Sequence, residues 1–260
     1  MRRRRKSVFF KKRGKGIDRG EKLCRVTVNQ EGLVEFNSEA TTGTTIEDII
    51  EADKRYGVFE PRNGVYFTYK VLNEDDEITN KQVIRMIKHS LIRIKTRTKL
   101  QFKVAKDNEI PDFRIEFRTV ESDPDEKLTA NTLMYHYYPI RTLTNSFRGL
   151  CVVNKAFFWT THGKAIDMHE IDPVNYPIAG TRIGITYDFD QIYTHELLHG
   201  LGLPHATEAG HIMSTNSGIM AEYMSEQDVA RLQAKYESRG LPEHKVRRWL
   251  KWLFYASDRR

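Results

Sequence analysis

The sequence has little cysteine and no long apolar run, and these two absences exclude several classes of protein. Its 260 residues contain two cysteines, Cys24 and Cys151, which are too few for a disulfide framework. Neither lies in a metal-binding pair, and no apolar run approaches the roughly 20 residues that cross a bilayer. Only Val8 to Phe10 interrupts the N-terminal charges, whereas a secretory signal needs about 7–15 apolar residues. With no classical signal peptide, we expect a chain that is cytoplasmic or packaged in a larger particle rather than secreted.

Positive charge is concentrated at one end of the chain. The first 20 residues carry a net charge of +9, so the remaining 240 residues carry −2 of the overall +7. We interpret residues 1–20 as a flexible basic arm that either contacts nucleic acid or another anionic partner or is a solvated tail. The cations proposed for such contacts are Arg2, Arg3, Arg4, Arg5, Lys6, Lys11, Lys12 and Arg13.

Two further segments flank the main domain. Residues 21–61 are predicted to form a small N-terminal extension that begins with a hairpin from Leu23 to Phe36, in which Cys24 and Val26 alternate with polar residues. Residues 239–260 are predicted to form a basic amphipathic helix. That helix either docks on its own domain or lies on an anionic membrane or partner.

Residues 62–238 have the alternating patterns of a mixed α and β domain. The expected strands are Val65 to Leu72, Leu100 to Val104, Phe113 to Phe117, Leu133 to Tyr138 and Leu150 to Phe158. Helices are expected after Thr79, from about Asp188, and from Ser225, where Asp228 stands in the reciprocal capping position. Leu150 to Asn154 is either the edge strand that pairs with an extended substrate or an ordinary strand of the sheet.

The segment from His195 to His205 has the spacing of a metal site. Residues four apart on a helix share one face, so the imidazoles of His195 and His199 can bind one zinc ion. Glu196 follows the first of them and is placed to hold a water molecule on the metal. Gly202 permits the positive φ at which the helix ends, so that His205 comes round as a third ligand. Three protein ligands leave a fourth position open, which distinguishes a catalytic zinc from a structural one.

Two alternatives compete with this interpretation of the segment. The two helical histidines could be ordinary core or surface residues, because a short His-Glu-x-x-His pattern also occurs by chance. An acidic third ligand such as Glu222 could replace His205, but neither Gly202 nor His205 would then be explained.

The whole pattern resembles a known group of enzymes. His195-Glu196-x-x-His199-x-x-Gly202-x-x-His205, followed by Met213, resembles the metzincin clan of metallopeptidases, and most of all the matrixins. The step from His205 to Met213 is similar to the matrixin Met-turn. The segment Met224 to Gln233 resembles the closing matrixin helix, and Asp112 to Phe117 resembles a central strand. The resemblance covers about residues 62–238.

This resemblance implies an α+β fold, a zinc ion and a reaction. The fold is a twisted mixed β-sheet of about five strands with three principal helices, and the active-site cleft lies between an upper and a lower subdomain. A single catalytic Zn²⁺ is held by His195, His199 and His205, with Met213 forming an apolar floor beneath it. The implied reaction is hydrolysis of protein or peptide substrates through a zinc-activated water, with Glu196 as general base.

The chain also departs from the matrixin pattern. Ala206 replaces the usual Ser, and Ser214-Thr215 replace the usual Tyr-Pro after the Met. The stretch Pro61 to Gly64 is superficially similar to the inhibitory cysteine motif of the family, but Asn63 stands at the thiol position, so that latch cannot operate.

Matrixins also bind calcium. The acidic pairs Asp123/Asp125 and Asp75/Asp76 are candidates for it, but acidic loops are usually solvated and no calcium site is assigned.

Two functions therefore remain to be distinguished. The first is a zinc-dependent endopeptidase, which predicts that Glu196→Ala keeps the metal but abolishes turnover. The alternative is a catalytically minor structural protein, or one that binds nucleic acid or an anionic surface, built on a metzincin scaffold and working through its basic arm. It predicts salt-sensitive binding that is lost when residues 1–19 are deleted. The retained Glu196 favours the endopeptidase, because a scaffold does not need a base.

Overall fold

The computed structural model describes most of the predicted domain and part of the N-terminal extension. The described residues are 23–30, 33–38, 59–73, 76–77, 81–124, 126–138, 149–157, 159–161, 164–165, 187–206, 208–215 and 223–237. The basic arm and the predicted C-terminal helix lie outside them.

These residues form eleven strands and three helices. The strands are β1 (Leu23–Val28), β2 (Val34–Ser38), β3 (Phe67–Asn73), β4 (Asp76–Glu77), β5 (Phe102–Val104), β6 (Phe113–Arg118), β7 (Thr132–Tyr137), β8 (Leu150–Asn154), β9 (Trp159–Thr161), β10 (Lys164–Ala165) and β11 (Tyr187–Asp188). The helices are α1 (Lys81–Arg97), α2 (Phe189–Gly200) and α3 (Glu226–Glu237).

One large mixed sheet organises the molecule. Its strand order is β2-β1-β7-β8-β6-β3-β4, and β5 also pairs with β3. The strands β3, β5, β6 and β8 run parallel, whereas β7 runs antiparallel to β8. A second, three-stranded sheet has the order β10-β9-β11. The predicted α+β fold, with a multi-stranded twisted sheet and three helices, is confirmed.

The helices and the sheet share one core. The apolar residues of α1 recur at helical spacing, and Val83, Ile87, Leu91 and Ile94 are buried. The helix α2 is buried on nearly every side, and Leu197 joins the same core cluster. An all-round buried helix lies inside a domain, so α2 is held rigidly between α1 and the sheet.

Of the two alternatives for Leu150–Asn154, the structure excludes the edge strand and agrees with an ordinary strand of the sheet. This strand, β8, lies between β6 and β7, and all five of its residues are buried. A continuous apolar run is typical of a strand covered on both faces. Among strands of the predicted domain, β7 is the one that lies outermost on this side, and it is the one that β1 meets.

The hairpin predicted from Leu23 to Phe36 is present and extends the large sheet. Strand β1 pairs antiparallel with β2, with Val26 opposite Phe36. On its other side β1 pairs antiparallel with β7, with Cys24 opposite His136. Leu23, Cys24 and Val26 are buried by this pairing. The N-terminal hairpin, defined as β1 and β2, is therefore continuous with the sheet of the main domain.

No helix in the described residues is long and apolar enough to cross a membrane.

Candidate metal centre

The helix α2 brings His195 and His199 together. It begins at the N-cap Asp188, whose side chain accepts a hydrogen bond of 2.9 Å from the Gln191 backbone N–H. The two histidines are one turn apart on the same face, and their Nε2 atoms are 3.0 Å apart. Both side chains are fully buried.

The end of α2 delivers His205. The backbone N–H of Gly202 donates to the carbonyl of His199 at 2.7 Å, and that of Leu203 donates to Leu198 at 2.9 Å. This pair of bonds is the Schellman arrangement, and it requires the left-handed backbone that Gly202 adopts with φ of 87°. The chain then turns back, and His205 Nε2 lies 3.1 Å from that of His195 and 3.0 Å from that of His199.

The outer nitrogens of two of these rings are fixed by backbone carbonyls. His195 Nδ1 is 2.5 Å from the Ile212 oxygen, and His199 Nδ1 is 2.7 Å from the Leu203 oxygen. A carbonyl only accepts, so each Nδ1 carries the proton and each Nε2 presents a lone pair. The Tyr138 hydroxyl is also 2.7 Å from His199 Nδ1.

The three rings fit a zinc ion. Tetrahedral coordination at Zn–N distances of about 2.0–2.1 Å separates ligand nitrogens by about 3.3 Å, close to the separations found here. Burial and the neighbouring rings hold the pKa values of His195 and His199 well below the ordinary range, and burial lowers the pKa of His205 to about 4. The rings are therefore neutral, as metal binding requires.

Glu196 lies at this cluster in an environment that disfavours its charge. Its side chain is fully buried, and neither carboxylate oxygen has a hydrogen-bond partner of good geometry among the described residues. Burial raises the pKa of Glu196 to about 8, and the nearby Cys24 thiol opposes this only in part. A buried carboxyl of this kind, next to a metal position, is suited to exchange protons.

A turn after His205 supports the cluster from below. The backbone N–H of Ala206 donates to the Met213 carbonyl at 2.7 Å, and Met213 is fully buried. The preceding residue, Ile212, provides the carbonyl that fixes His195. The predicted Met-turn is therefore tied directly to the ligand turn.

Helix α3 holds the Met-turn and the ligand turn through three side chains that the sequence analysis did not assign to the site. Asp228 accepts from the Ile212 backbone N–H at 3.1 Å and from the Ser225 hydroxyl at 2.9 Å. Arg231 donates to the Pro204 carbonyl at 2.8 Å, and the Tyr236 hydroxyl to Leu201 O at 2.9 Å. The Ser225–Asp228 capping box was predicted, but its link to Ile212 was not.

Cys24 also lies beside the histidines, and the sequence analysis did not place it there. Its Sγ atom is 3.7 Å from His205 Nε2, and the ligand atoms of Cys24 and the three histidines all lie within 4.8 Å of one another. Burial raises the pKa of the Cys24 thiol well above its ordinary value, and Glu196 adds to this effect. The alternation in β1 indicated an inward-facing Cys24, but not which element it would face.

Phe36 completes the contact between the N-terminal hairpin and the histidines. Its ring centroid is 4.1 Å from that of His195 and 6.3 Å from that of His205. Phe36 and Cys24 therefore approach the cluster from the same side, through two neighbouring strands.

The fold agrees with the comparison with protein families. The matrixin family of peptidases matches residues 61–237, more than half of the chain. The chain belongs to the matrixin family. A search of curated proteins finds no match to it. Matrixins are zinc-dependent peptidases, so the family gives zinc as the expected metal and a protein as the expected substrate class.

The remaining predictions for this matrixin have different outcomes. The basic residues Arg2 to Arg13 and the alternative ligand Glu222 lie outside the described residues. Of the calcium candidates, the Asp123 carboxylate accepts hydrogen bonds from four donors, which are Arg118, Tyr135 and the backbone N–H groups of Lys127 and Leu128. Asp123 therefore ties a loop to the sheet, and its carboxylate oxygens are engaged by these four donors rather than by a calcium ion.

Proposed function

We propose that the chain is a zinc-dependent endopeptidase in which His195, His199 and His205 hold the metal and Glu196 is the general base. The observation that supports this most directly is the convergence of three neutral imidazoles, with Nε2 separations of 3.0–3.1 Å, beside a buried carboxyl. Family membership supports the same activity.

Each side chain has a defined task in this proposal. When bound, zinc polarises the scissile carbonyl and lowers the pKa of a water molecule. Glu196 removes a proton from the attacking water and then delivers it to the departing amine. The backbone carbonyls of Ile212 and Leu203 keep two of the rings in the tautomer that offers Nε2. Met213 forms the apolar floor of the site.

The proposal is tested by separating metal binding from turnover. We expect about one zinc per chain, and cleavage of an unfolded protein such as casein. Glu196→Gln should keep the zinc and lower kcat/KM by at least about 100-fold, because a general base contributes on the order of 10²–10⁴. His199→Ala should lose the metal and the activity together.

The assay should use the Cys24→Ser chain beside the unmodified one, because Cys24 lies next to the metal position. Glu226→Ala is a suitable control, since this acidic side chain is exposed on α3. Substantial peptidase activity in the Glu196→Gln chain would reject the proposed role of Glu196. A chain that binds no zinc would reject the function as a whole.

A further inference from the structure

The N-terminal hairpin occupies the edge of the catalytic sheet. Residues 23–38 lie outside the family match, which begins at residue 61, so β7 is the outermost strand of the matched sheet on this side. The strand β1 adds to β7 by antiparallel pairing over five register positions. An extended peptide that adds to a sheet edge is a common mode of peptide recognition. The hairpin thus lies where an extended substrate strand would pair.

The register of this pairing places Cys24 beside the histidines. Cys24 is opposite His136 on β7, and His136 packs against α2 at Gly200. The thiol therefore points to the face on which the imidazoles lie. Tetrahedral zinc at about 2.3 Å from sulfur and 2.05 Å from nitrogen separates these two donor atoms by about 3.6 Å. The observed distance from Cys24 Sγ to His205 Nε2 is 3.7 Å.

Disulfide formation does not explain the buried position of Cys24. Cys151 on β8 is opposite the same His136, so the two cysteines are two strands apart. Strand spacing places their Cα atoms about 9–10 Å apart, beyond the range of about 7 Å that a disulfide spans. The thiol is directed at the donor cluster instead.

The hairpin also removes the centre from solvent. His195, Glu196 and His199 have no exposed surface, and His205 is only 2% exposed. Phe36 packs on His195 and His205 while Cys24 lies beside Glu196. While the hairpin is docked, the three histidines and Glu196 offer almost no surface to a substrate.

From these contacts we infer that Cys24 is a fourth metal ligand and that the N-terminal hairpin holds the peptidase in a latent form by filling the substrate strand and the fourth coordination position together. This inference rests on the proposed function, because it requires the three histidines to bind zinc. It differs from the latch excluded at Asn63: that residue lies in an exposed turn, where its side chain accepts from the backbone N–H groups of Val65 and Tyr66.

The first test is the absorption spectrum of the cobalt-substituted full chain. A Cys24 thiolate bound to Co²⁺ gives a near-ultraviolet charge-transfer band, whereas three histidines alone do not. We expect this band in the unmodified chain and in Cys151→Ser, the matched control at the other buried cysteine. The band should be lost in Cys24→Ser, which should still bind one cobalt through its visible d–d bands.

The outcomes separate the inference from the proposed function. Cobalt binding without a thiolate band in the unmodified chain overturns the fourth ligand but leaves the three-histidine site intact. A band that survives in Cys24→Ser also overturns it. Failure of the unmodified chain to bind cobalt or zinc at all overturns the proposed function.

A second measurement remains informative if Cys24→Ser folds poorly. In the Cys151→Ser chain the only thiol is Cys24, so its rate of alkylation reports on this site alone. Zinc should protect it, and a chelator should raise the rate by at least about tenfold, the scale on which even outer partners of metal ligands act. Equal rates with and without zinc overturn the inference.

Activity provides the test of latency. Cys24→Ser should show a higher initial rate of peptide cleavage than the unmodified chain, and Cys151→Ser should match the unmodified chain. If Cys24→Ser and the unmodified chain cleave at the same rate while the thiolate band is present, Cys24 is a permanent structural ligand and the latency part of the inference is overturned.

Discussion

Helix α3 and the N-terminal hairpin hold the metal centre from two sides in different ways. Helix α3 contacts backbone groups of the two turns: Asp228 accepts a hydrogen bond from the Ile212 N–H, and Arg231 and Tyr236 donate to the carbonyls of Pro204 and Leu201. The hairpin contacts the histidine side chains themselves through Cys24 and Phe36. The hydrogen bonds of α3 fix the backbone that carries the histidines. Cys24 and Phe36 instead occupy the space beside the histidine rings.

The family match includes α3 but not the N-terminal hairpin. Helix α3 lies within the matched residues 61–237, and the hairpin lies before them. Helix α3 therefore belongs to the matched peptidase domain, which we call the frame, and the inferred latency requires the hairpin to be a cover that can leave this frame intact. Four variants test this distinction between α3 and the hairpin.

The largest effect on stability is expected for Asp228→Ala. Asp228 is fully buried and accepts hydrogen bonds from the backbone N–H groups of Ile212 and Ser225. Its Oδ1 atom lies 3.6 Å from Arg231 Nη1. Removing one partner of a buried ion pair costs roughly 3–5 kcal/mol, so the free energy of unfolding in urea should fall by about that much. The control is Glu226→Ala on the same helical turn, an exposed acid paired with Arg97, which should cost less than about 1 kcal/mol. Equal losses in the two variants would show that α3 does not anchor the turn.

The next effect is expected for Phe36→Ala and should be confined to the hairpin. Loss of a buried Phe side chain weakens the docking of the hairpin by about 1.5–3 kcal/mol, which corresponds to roughly 10–150-fold faster hydrogen exchange. The β1 amides should show this acceleration, while the amides of α3 keep their protection. If the amides of α3 accelerate to the same extent, the hairpin is an integral part of the frame.

Gly200→Ala tests the close approach of α2 to β7. A Cβ at Gly200 would lie 2.3 Å from His136 Cε1, so the ring or the helix must shift. Overpacking of this kind costs about 1–3 kcal/mol in the free energy of unfolding. The cost should be smaller in a His136→Ala background, where the ring is absent, and a double-mutant cycle measures the difference. An unchanged cost in that background would place the strain elsewhere.

The smallest effect is expected for Tyr236→Phe. Its hydroxyl lies 2.9 Å from Leu201 O and 3.1 Å from Phe59 O, and both are buried contacts. A hydrogen bond of this kind contributes about 0.5–1.5 kcal/mol, and the thermal midpoint should fall accordingly. Hydrogen exchange of β1 should not change. Faster exchange in β1 would show that α3 and the hairpin are energetically coupled, which would contradict the distinction between them.

The metal cluster could be predicted because its signal is local. His195 and His199 are related by the period of a helix, and Gly202 marks the position at which that helix must end. The structure brings both residues together with His205, and the Gly202 backbone has the positive φ that the prediction required. The fold of the main domain followed from the resemblance that this local pattern supports.

The hairpin contact could not be predicted because it is not local. Cys24 and His205 are 181 residues apart, and no periodicity connects them. The alternation in β1 showed that Cys24 faces inward, but the neighbour of β1 depends on strand order. The two alternatives for Leu150–Asn154 stayed open for the same reason, since a buried strand and its neighbours cannot be ordered from the sequence alone. Its continuous apolar run was nevertheless a sign of a central strand.

The pairing of β1 with β7 has a consequence for the behaviour of the protein at high concentration. When β1 leaves, β7 presents a row of unpaired backbone donors and acceptors, and such edges promote self-association. The opened peptidase should therefore tend to oligomerise, or to capture an extended segment of another copy, and the hairpin suppresses this tendency for as long as it stays docked.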